Sequence, residues 1–326
     1  MIDVLIIGGG PIGLACALEA KKKNLSYVVL EKGALVNSLY NYPQNMTFFS
    51  SSDKLEIDEI PFISKEAKPS KQEALEYYRR IASSNHLNVN LFEKVENVSS
   101  KEDYYLVTSE KGEYETKNIV VSTGFYDIPN HLNVKGESLE KVVHYYDDPH
   151  FYAMQDVAVI GASNSAVDAA LEIYRKGARV SIIVRGEEIG KRVKYWVRPD
   201  MINRIEEGSI KAYFNTTVSE IEENQLKLYD KVKDEHFSIK NDHVLALTGY
   251  QPNFSFLNSI GINITDEKSK IPDYNPQTME TNKEGIYLAG VICGGMETHK
   301  WFIENSRIHA KMIIENIKTK NPVAAH

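Results

Sequence analysis

The chain repeats one local pattern, and that repeat narrows its fold more than any other feature. Val4-Leu5-Ile6-Ile7 runs into Gly8-Gly9-Gly10-Pro11-Ile12-Gly13, then into an Ala-rich stretch from Leu14 to Lys23. A second apolar run, Tyr27 to Leu30, ends at Glu31. Further on, Val157-Ala158-Val159-Ile160 runs into Gly161-Ala162-Ser163-Asn164-Ser165-Ala166. A helical stretch from Val167 to Lys176 and the run Arg179 to Val184 follow, with Arg185 at the tip. Short β-branched runs read as buried strands, and the Ala-rich stretches read as helices. Both halves also close alike, on Thr123-Gly124-Phe125 and Thr248-Gly249-Tyr250, so Gly8 corresponds to Gly161 and Thr123 to Thr248. The repeat predicts an α/β chain of two Rossmann-like dinucleotide-binding domains, which suits 326 residues at about 150 per domain.

The remainder fits around these units. Residues Val36 to Phe62 mix aromatics, Asn, Ser and Pro and read as an ordered excursion. Ser70-Lys71-Gln72-Glu73 matches a capping box that opens a helix through about Ser84. The runs Asn88 to Phe92, Lys94 to Ser99, Tyr104 to Thr108 and Asn118 to Val121 read as a sheet with a β-meander across it. Gly285 to Gly290 and a helix from about Thr298 to Ile317 are too short for a third domain. They are expected to complete the first one, with Asn321 to His326 as a frayed tail.

Composition excludes several functions. Lys plus Arg is 38 against 45 Asp plus Glu, a formal charge of −7, which gives no bulk attraction for nucleic acid or anionic lipid. No apolar run approaches the ~20 residues of a membrane helix, and Met1 to Gly10 lacks a basic n-region. Cys16 and Cys293 are the only cysteines and lie far apart, so neither a disulfide framework nor a Cys-x-x-Cys metal site is available. A cytoplasmic protein without nucleic-acid or membrane partners, and without a metal, is expected.

Each part of the first turn has a mechanical purpose. Gly8 permits the tight turn, Gly10 lets a pyrophosphate approach the backbone, and Gly13 lets helix pack on strand. The helix N-terminus offers free N–H groups to phosphate, and Glu31 suits adenosine ribose hydroxyls. In the second turn Ser163 and Ala166 replace two glycines. Arg185 suits the 2′-phosphate of NADP, and Lys191 and Arg192 add charge from the following loop. The economical assignment is FAD in the acid-tipped fold and NADPH in the other, with the cofactors carrying the hydride chemistry.

With both turns and both Thr-Gly closures in place, the chain resembles the flavoproteins with two dinucleotide-binding domains. Its layout is similar to that of low-molecular-weight thioredoxin reductases. Those enzymes carry a Cys-x-x-Cys before the second turn, where this chain reads Val143-His144-Tyr145-Tyr146-Asp147-Asp148. A closer resemblance is to the bacillithiol disulfide reductase family. It runs through Tyr42-Pro43, Thr47 to Ser52, Thr123 to Pro129, His144-Tyr145-Tyr146, Gly161 to Ala166, Ala289 to Ile292, and Phe302 to Asn305. Val291 stands where thioredoxin reductases have a flavin-binding Asp. The resemblance implies an FAD domain at 1–125 and 248–326 and an NADPH domain at 126–247, in a homodimer. It implies FAD contacts at Gly8, Gly10, Pro11, Ile12, Gly13, Glu31, Lys32, Tyr42, Thr47, Val95, Thr123, Gly124, Gly290 and Val291. NADPH contacts are implied at Gly161, Ser163, Asn164, Ser165, Ala166, Arg185, Lys191, Arg192 and Gly249.

One departure bears on the chemistry. That family has a cysteine between the Pro and the last Gly of its first motif, and this chain has Ile12. The redox candidates are then Cys293, in a loop expected before the last helix, and Cys16, one turn beyond Ile12. A helix N-terminus favours thiolate. His144 is a candidate proton donor, and Thr298, His299 and Lys300 are expected to start the last helix beside the flavin. The expected activity is NADPH-dependent reduction of a small disulfide such as bacillithiol disulfide. Rivals are a ferredoxin-NADP reductase, a small flavin monooxygenase, and a non-enzymatic redox-sensing module.

Overall fold

The run Ile2–Ile7 lies inside a seven-stranded sheet because Val4 to Ile7 are apolar on both faces, as a strand covered on both sides requires. Tyr27–Leu30 and the end of Glu113–Val121 flank it in parallel, with Ile7 opposite both Leu30 and Val121. Val89–Asn90 extends one side, and Ile286–Leu288 adds the other, with Leu288 opposite Val121. Four parallel strands thus end at one level, and Gly8, Glu31, Ser122 and Ala289 gather at that edge. The beginning of Glu113–Val121 turns antiparallel with Tyr105–Ser109, which pairs with Val95–Ser100 in the expected meander.

The computed structural model describes residues 1–320, and the expected tail from Asn321 to His326 lies outside them. The chain divides into two units. Among the described residues, one holds Met1–Asn41, Met46–Ile128 and the chain from Gln251 to Lys320, and the other holds Tyr42–Asn45 and Pro129–Tyr250. In the first, helix Pro11–Lys22 buries Leu14, Ala15, Cys16, Ala17, Leu18 and Ala20 and packs against helix Ile308–Lys320. Its small side chains permit that close approach. Helix Lys71–Ser84 is capped as its sequence predicts: Ser70 Oγ accepts from Glu73 N (3.3 Å), and Ser70 N donates to Glu73 Oε2 (2.8 Å).

Two elements depart from expectation. The last helix begins later than Thr298, as Ile303–Ser306 followed by Ile308–Lys320. Phe302 N donates to Asn305 Oδ1 (2.7 Å), which caps the chain there and leaves Thr298, His299 and Lys300 in a preceding turn. In the excursion, residues 42–45 group with the second unit, and Gln44 N donates to Asp147 O (3.2 Å).

The second unit has its own parallel sheet, in the order Lys211–Tyr213, Arg179–Ile183, Asp156–Ile160, His243–Ala246, Val142–Val143. A three-stranded antiparallel sheet, Thr216–Ile221, Gln225–Asp230 and Glu235–Lys240, accompanies it. Helix Asn164–Arg175 covers the parallel sheet with Ala166, Val167, Ala169, Ala170, Leu171 and Ile173. Among the described residues no helix is long and apolar enough to cross a membrane.

Candidate functional site

The first glycine turn is tight because its backbone folds against the strand that ends at Val121. Gly8 has φ +108°, and a Cβ there would stand 2.7 Å from the Ser122 carbonyl oxygen. A Cβ at Gly13 would overlap the carbonyl of Gly8, whereas Gly10 faces open space. Gly10 is extended and Pro11 opens the helix, so the first turn's N–H groups point outward. Glu31 is buried, and its carboxylate accepts from Gly9 N (2.7 Å) and Gly33 N (2.9 Å). Burial raises its pKa, and the Gly33 and Gly9 amides partly oppose that rise. Each carboxylate oxygen keeps a further lone pair for a ribose hydroxyl.

A dinucleotide fits this edge. Thr123 Oγ1 is buried and has no hydrogen-bond partner among the described residues, a vacancy that folded proteins rarely leave. Gly124 has φ +71° with only Ser38 Oγ near, at 3.9 Å from a notional Cβ. Gly290 faces Ile12, whose Cγ1 would stand 3.3 Å from a Cβ at 290. Val291 opens a 3-10 turn, Val291–Gly294. Lys32 pairs with Asp127 (2.7 Å). Val95 begins its strand opposite Ser109, and Thr47 bridges Ser70. Tyr42, expected with the FAD contacts, lies in the short segment Tyr42–Asn45 that groups with the second unit.

Both cysteines are corrected by burial. Cys16 is inaccessible in the helix that packs on the sheet, and desolvation pushes its thiol up to about 12. Cys293 is equally inaccessible inside the 3-10 turn, with its thiol also pushed up by burial, and no helix N-terminus follows it directly. A thiolate is the form that attacks disulfides, so neither side chain is a nucleophile here.

His309 was not legible in the sequence. It is buried, its Nδ1 accepts from Gly290 N (3.2 Å), and it lies 4.0 Å from Cys293 Sγ. Burial lowers its pKa to about 4, so the ring is neutral at pH 7 and holds the Gly290 turn as an acceptor. Its place is visible only once the last helix is known to restart at Ile308.

The second turn repeats the geometry with more room. Gly161 has φ +139°, and a Cβ there would stand 2.5 Å from Leu247 O, as Gly8 faces Ser122. Ala166 fits with its methyl beside Gly161, 2.9 Å from the same notional Cβ. Ser163 precedes the helix without a side-chain cap bond, and Ser165 lies in its first turn. Asn164 is committed to the neighbouring loop: its Nδ2 donates to Arg192 O (3.3 Å) and its Oδ1 accepts from Lys194 N (2.9 Å). Arg185 and Arg192 are exposed and in no ion pair among the described residues, while Lys191 pairs with Glu188 (3.2 Å). Gly249 accepts from Asn130 N (2.9 Å), and Thr248 Oγ1 donates to Asn130 O. His144 leaves strand Val142–Val143 beside Glu137; burial lowers its pKa, and Glu137 partly offsets this.

Two strand–glycine turn–helix units, each at the carboxyl ends of parallel strands in its own sheet, define an oxidoreductase of the two-dinucleotide class. The pattern of the pyridine nucleotide-disulphide oxidoreductases matches residues 5–290, and the chain belongs to that family. Bacilliredoxin reductase Bdr of Bacillus subtilis (strain 168) is 43% identical over 314 residues, 96% of each protein. The structure of bacillithiol disulfide reductase Bdr (YpdA) from Bacillus cereus is 44% identical, with a TM-score of 0.95 over 98% of this chain and 99% of that one. The resemblance read from the motifs therefore stands. Thioredoxin reductase from T. acidophilum shares the fold, with a TM-score of 0.78 at 19% identity over 99% of both chains. The protein is an enzyme, and its family works with FAD and NADPH.

Proposed function

We propose that the protein uses NADPH to reduce a low-molecular-weight thiol disulfide such as bacillithiol disulfide, releasing two thiols and NADP+. The reading rests above all on near-full-length similarity to bacillithiol disulfide reductases, joined to two turns with opposite charge at their strand tips. FAD belongs in the first unit and NADPH in the second. When bound, the flavin relays two electrons from the nicotinamide to the acceptor.

The chain's own residues bind and position. Glu31 takes ribose hydroxyls, and Gly10, with open space where a side chain would stand, lets the pyrophosphate approach the backbone. Thr123 Oγ1 gains the partner it lacks. Ile12, 8% exposed and packed against Gly290, forms a dry wall there without supplying a thiol. Neutral His309 fixes the Gly290 amide. Arg185, with Arg192 from the loop that Asn164 holds, receives the 2′-phosphate. With Cys16 and Cys293 protonated and enclosed, the disulfide is reduced without forming a bond to this chain. A cytoplasmic homodimer accompanies this reading. Sedimentation of the purified protein checks the dimer.

Anaerobic stopped-flow absorbance of the flavin-loaded protein tests the function. NADPH bleaches the flavin, and oxidised bacillithiol then restores its colour within the turnover time. Bleaching without restoration contradicts the disulfide reading and makes ferredoxin the next acceptor to test.

A further inference from the structure

Within the second unit, a cluster outside both glycine turns has the composition and spacing of a metal site. Glu137 follows Gly136, where a Cβ would overlap the carbonyl of Ile221, so the backbone is pressed against strand Thr216–Ile221. Its carboxylate is held by two amides: Leu132 N donates to Oε1 and Asn133 N to Oε2, each at 2.7 Å. His144 leaves the sheet directly after Val142–Val143, and its carbonyl accepts from Tyr250 Oη (2.8 Å). His131 comes from the loop that begins at Pro129, with its ring half exposed.

We propose that His131, Glu137 and His144 bind a divalent transition metal of the zinc class. The three ligand atoms lie within 4.8 Å of one another. His131 Nδ1 is 3.2 Å and His144 Nε2 is 3.4 Å from Glu137 Oε1. Ligands about 2.0–2.1 Å from a tetrahedral zinc stand about 3.3 Å apart, so these spacings match two edges of such a site. Two imidazoles with one carboxylate are a donor set that zinc and its neighbours accept, leaving the fourth position to water.

Lone-pair arithmetic favours a cation over a purely hydrogen-bonded cluster. Oε1 has two lone pairs, and the Leu132 amide uses one. Two imidazoles then compete for the other, whereas one metal ion there satisfies both rings at once. Glu137 and His144 are preorganised, and the exposed ring of His131 closes the site. The ion would fasten the loop after Pro129 to the sheet of its own unit.

Calorimetric titration of flavin-loaded, tag-free protein with zinc chloride tests this. One zinc per chain is expected, with His131→Ala weakening binding by about 100-fold. Glu137→Gln should weaken it comparably, and His150→Ala, at an exposed histidine elsewhere, should change nothing. His131→Ala removes an exposed ring, so its melting temperature without zinc should match the parent. Anomalous scattering at the zinc edge should then place the ion among these three side chains. Absence of saturable binding, binding indifferent to His131→Ala, or a zinc peak elsewhere overturns the proposal.

Discussion

The two glycine turns share a backbone plan and differ in how tightly they are built. Each opens on a left-handed glycine pressed against the carbonyl before a Thr-Gly pair, Ser122 for Gly8 and Leu247 for Gly161. In the first turn even a methyl at Gly13 would overlap backbone, and the closing threonine hydroxyl, Thr123 Oγ1, is buried and unpartnered. In the second turn Ala166 fits, and Thr248 is satisfied by Asn130. The tips differ too: Glu31 is enclosed by two amides, while Arg185 stands in solvent. The first turn is thus the more tightly built of the two, with a buried hydroxyl left unpartnered among the described residues.

The largest effect should come from exchanging that tightness. Gly13→Ala is expected to lower stability by about 3 kcal/mol and to empty the protein of flavin, because backbone must shift to admit the methyl. Ala166→Gly should cost only about 1 kcal/mol of helix stability and retain flavin. Flavin content and thermal melting measure both, and equal losses in the two variants would erase the contrast.

His309 makes the first unit sensitive to pH. Its folded pKa of about 4 lies below the ~6.5 of an unfolded histidine, so the unfolded chain binds a proton that the folded chain refuses. Stability is therefore complete above about pH 6.5 and is lost as pH falls toward 4, by on the order of 3 kcal/mol. His309→Asn keeps an acceptor for Gly290 and should flatten this slope in melts recorded across that window.

Arg185→Ala should raise the KM for NADPH by about 10-fold, equivalent to about 1.4 kcal/mol, and leave that for NADH unchanged. Equal increases for both nucleotides would mean that Arg185 does not read the 2′-phosphate. The smallest effect is expected at Asn164→Ala, which frees the loop bearing Arg192 and should raise the KM for NADPH a few-fold at about 1 kcal/mol.

Features that depend on short sequence spans were legible. The glycine turns, the strand tips and the Ser70 capping box each involve residues within one element or one turn. Features that depend on where distant segments meet were not. Residues 42–45 group with the second unit, where Gln44 bonds Asp147, and Lys32 pairs with Asp127 from far along the chain. Asn164 lies inside the expected motif, yet its amide serves the loop at 192–194. The cysteines misled because a sequence displays thiols but not their burial. Thr298 to Lys300 were expected to begin the last helix because the cap at Phe302 depends on a side chain three residues further on.

The central claim is the division of labour between an acid-tipped and a base-tipped fold. The most direct test is a crystal structure of the protein with FAD and NADP+ bound. The account predicts an adenosine ribose against Glu31, with Thr123 Oγ1 newly hydrogen-bonded to the flavin nucleotide, and the 2′-phosphate against Arg185. NADP+ in the Gly8–Gly13 turn, or a 2′-phosphate turned away from Arg185, would contradict it.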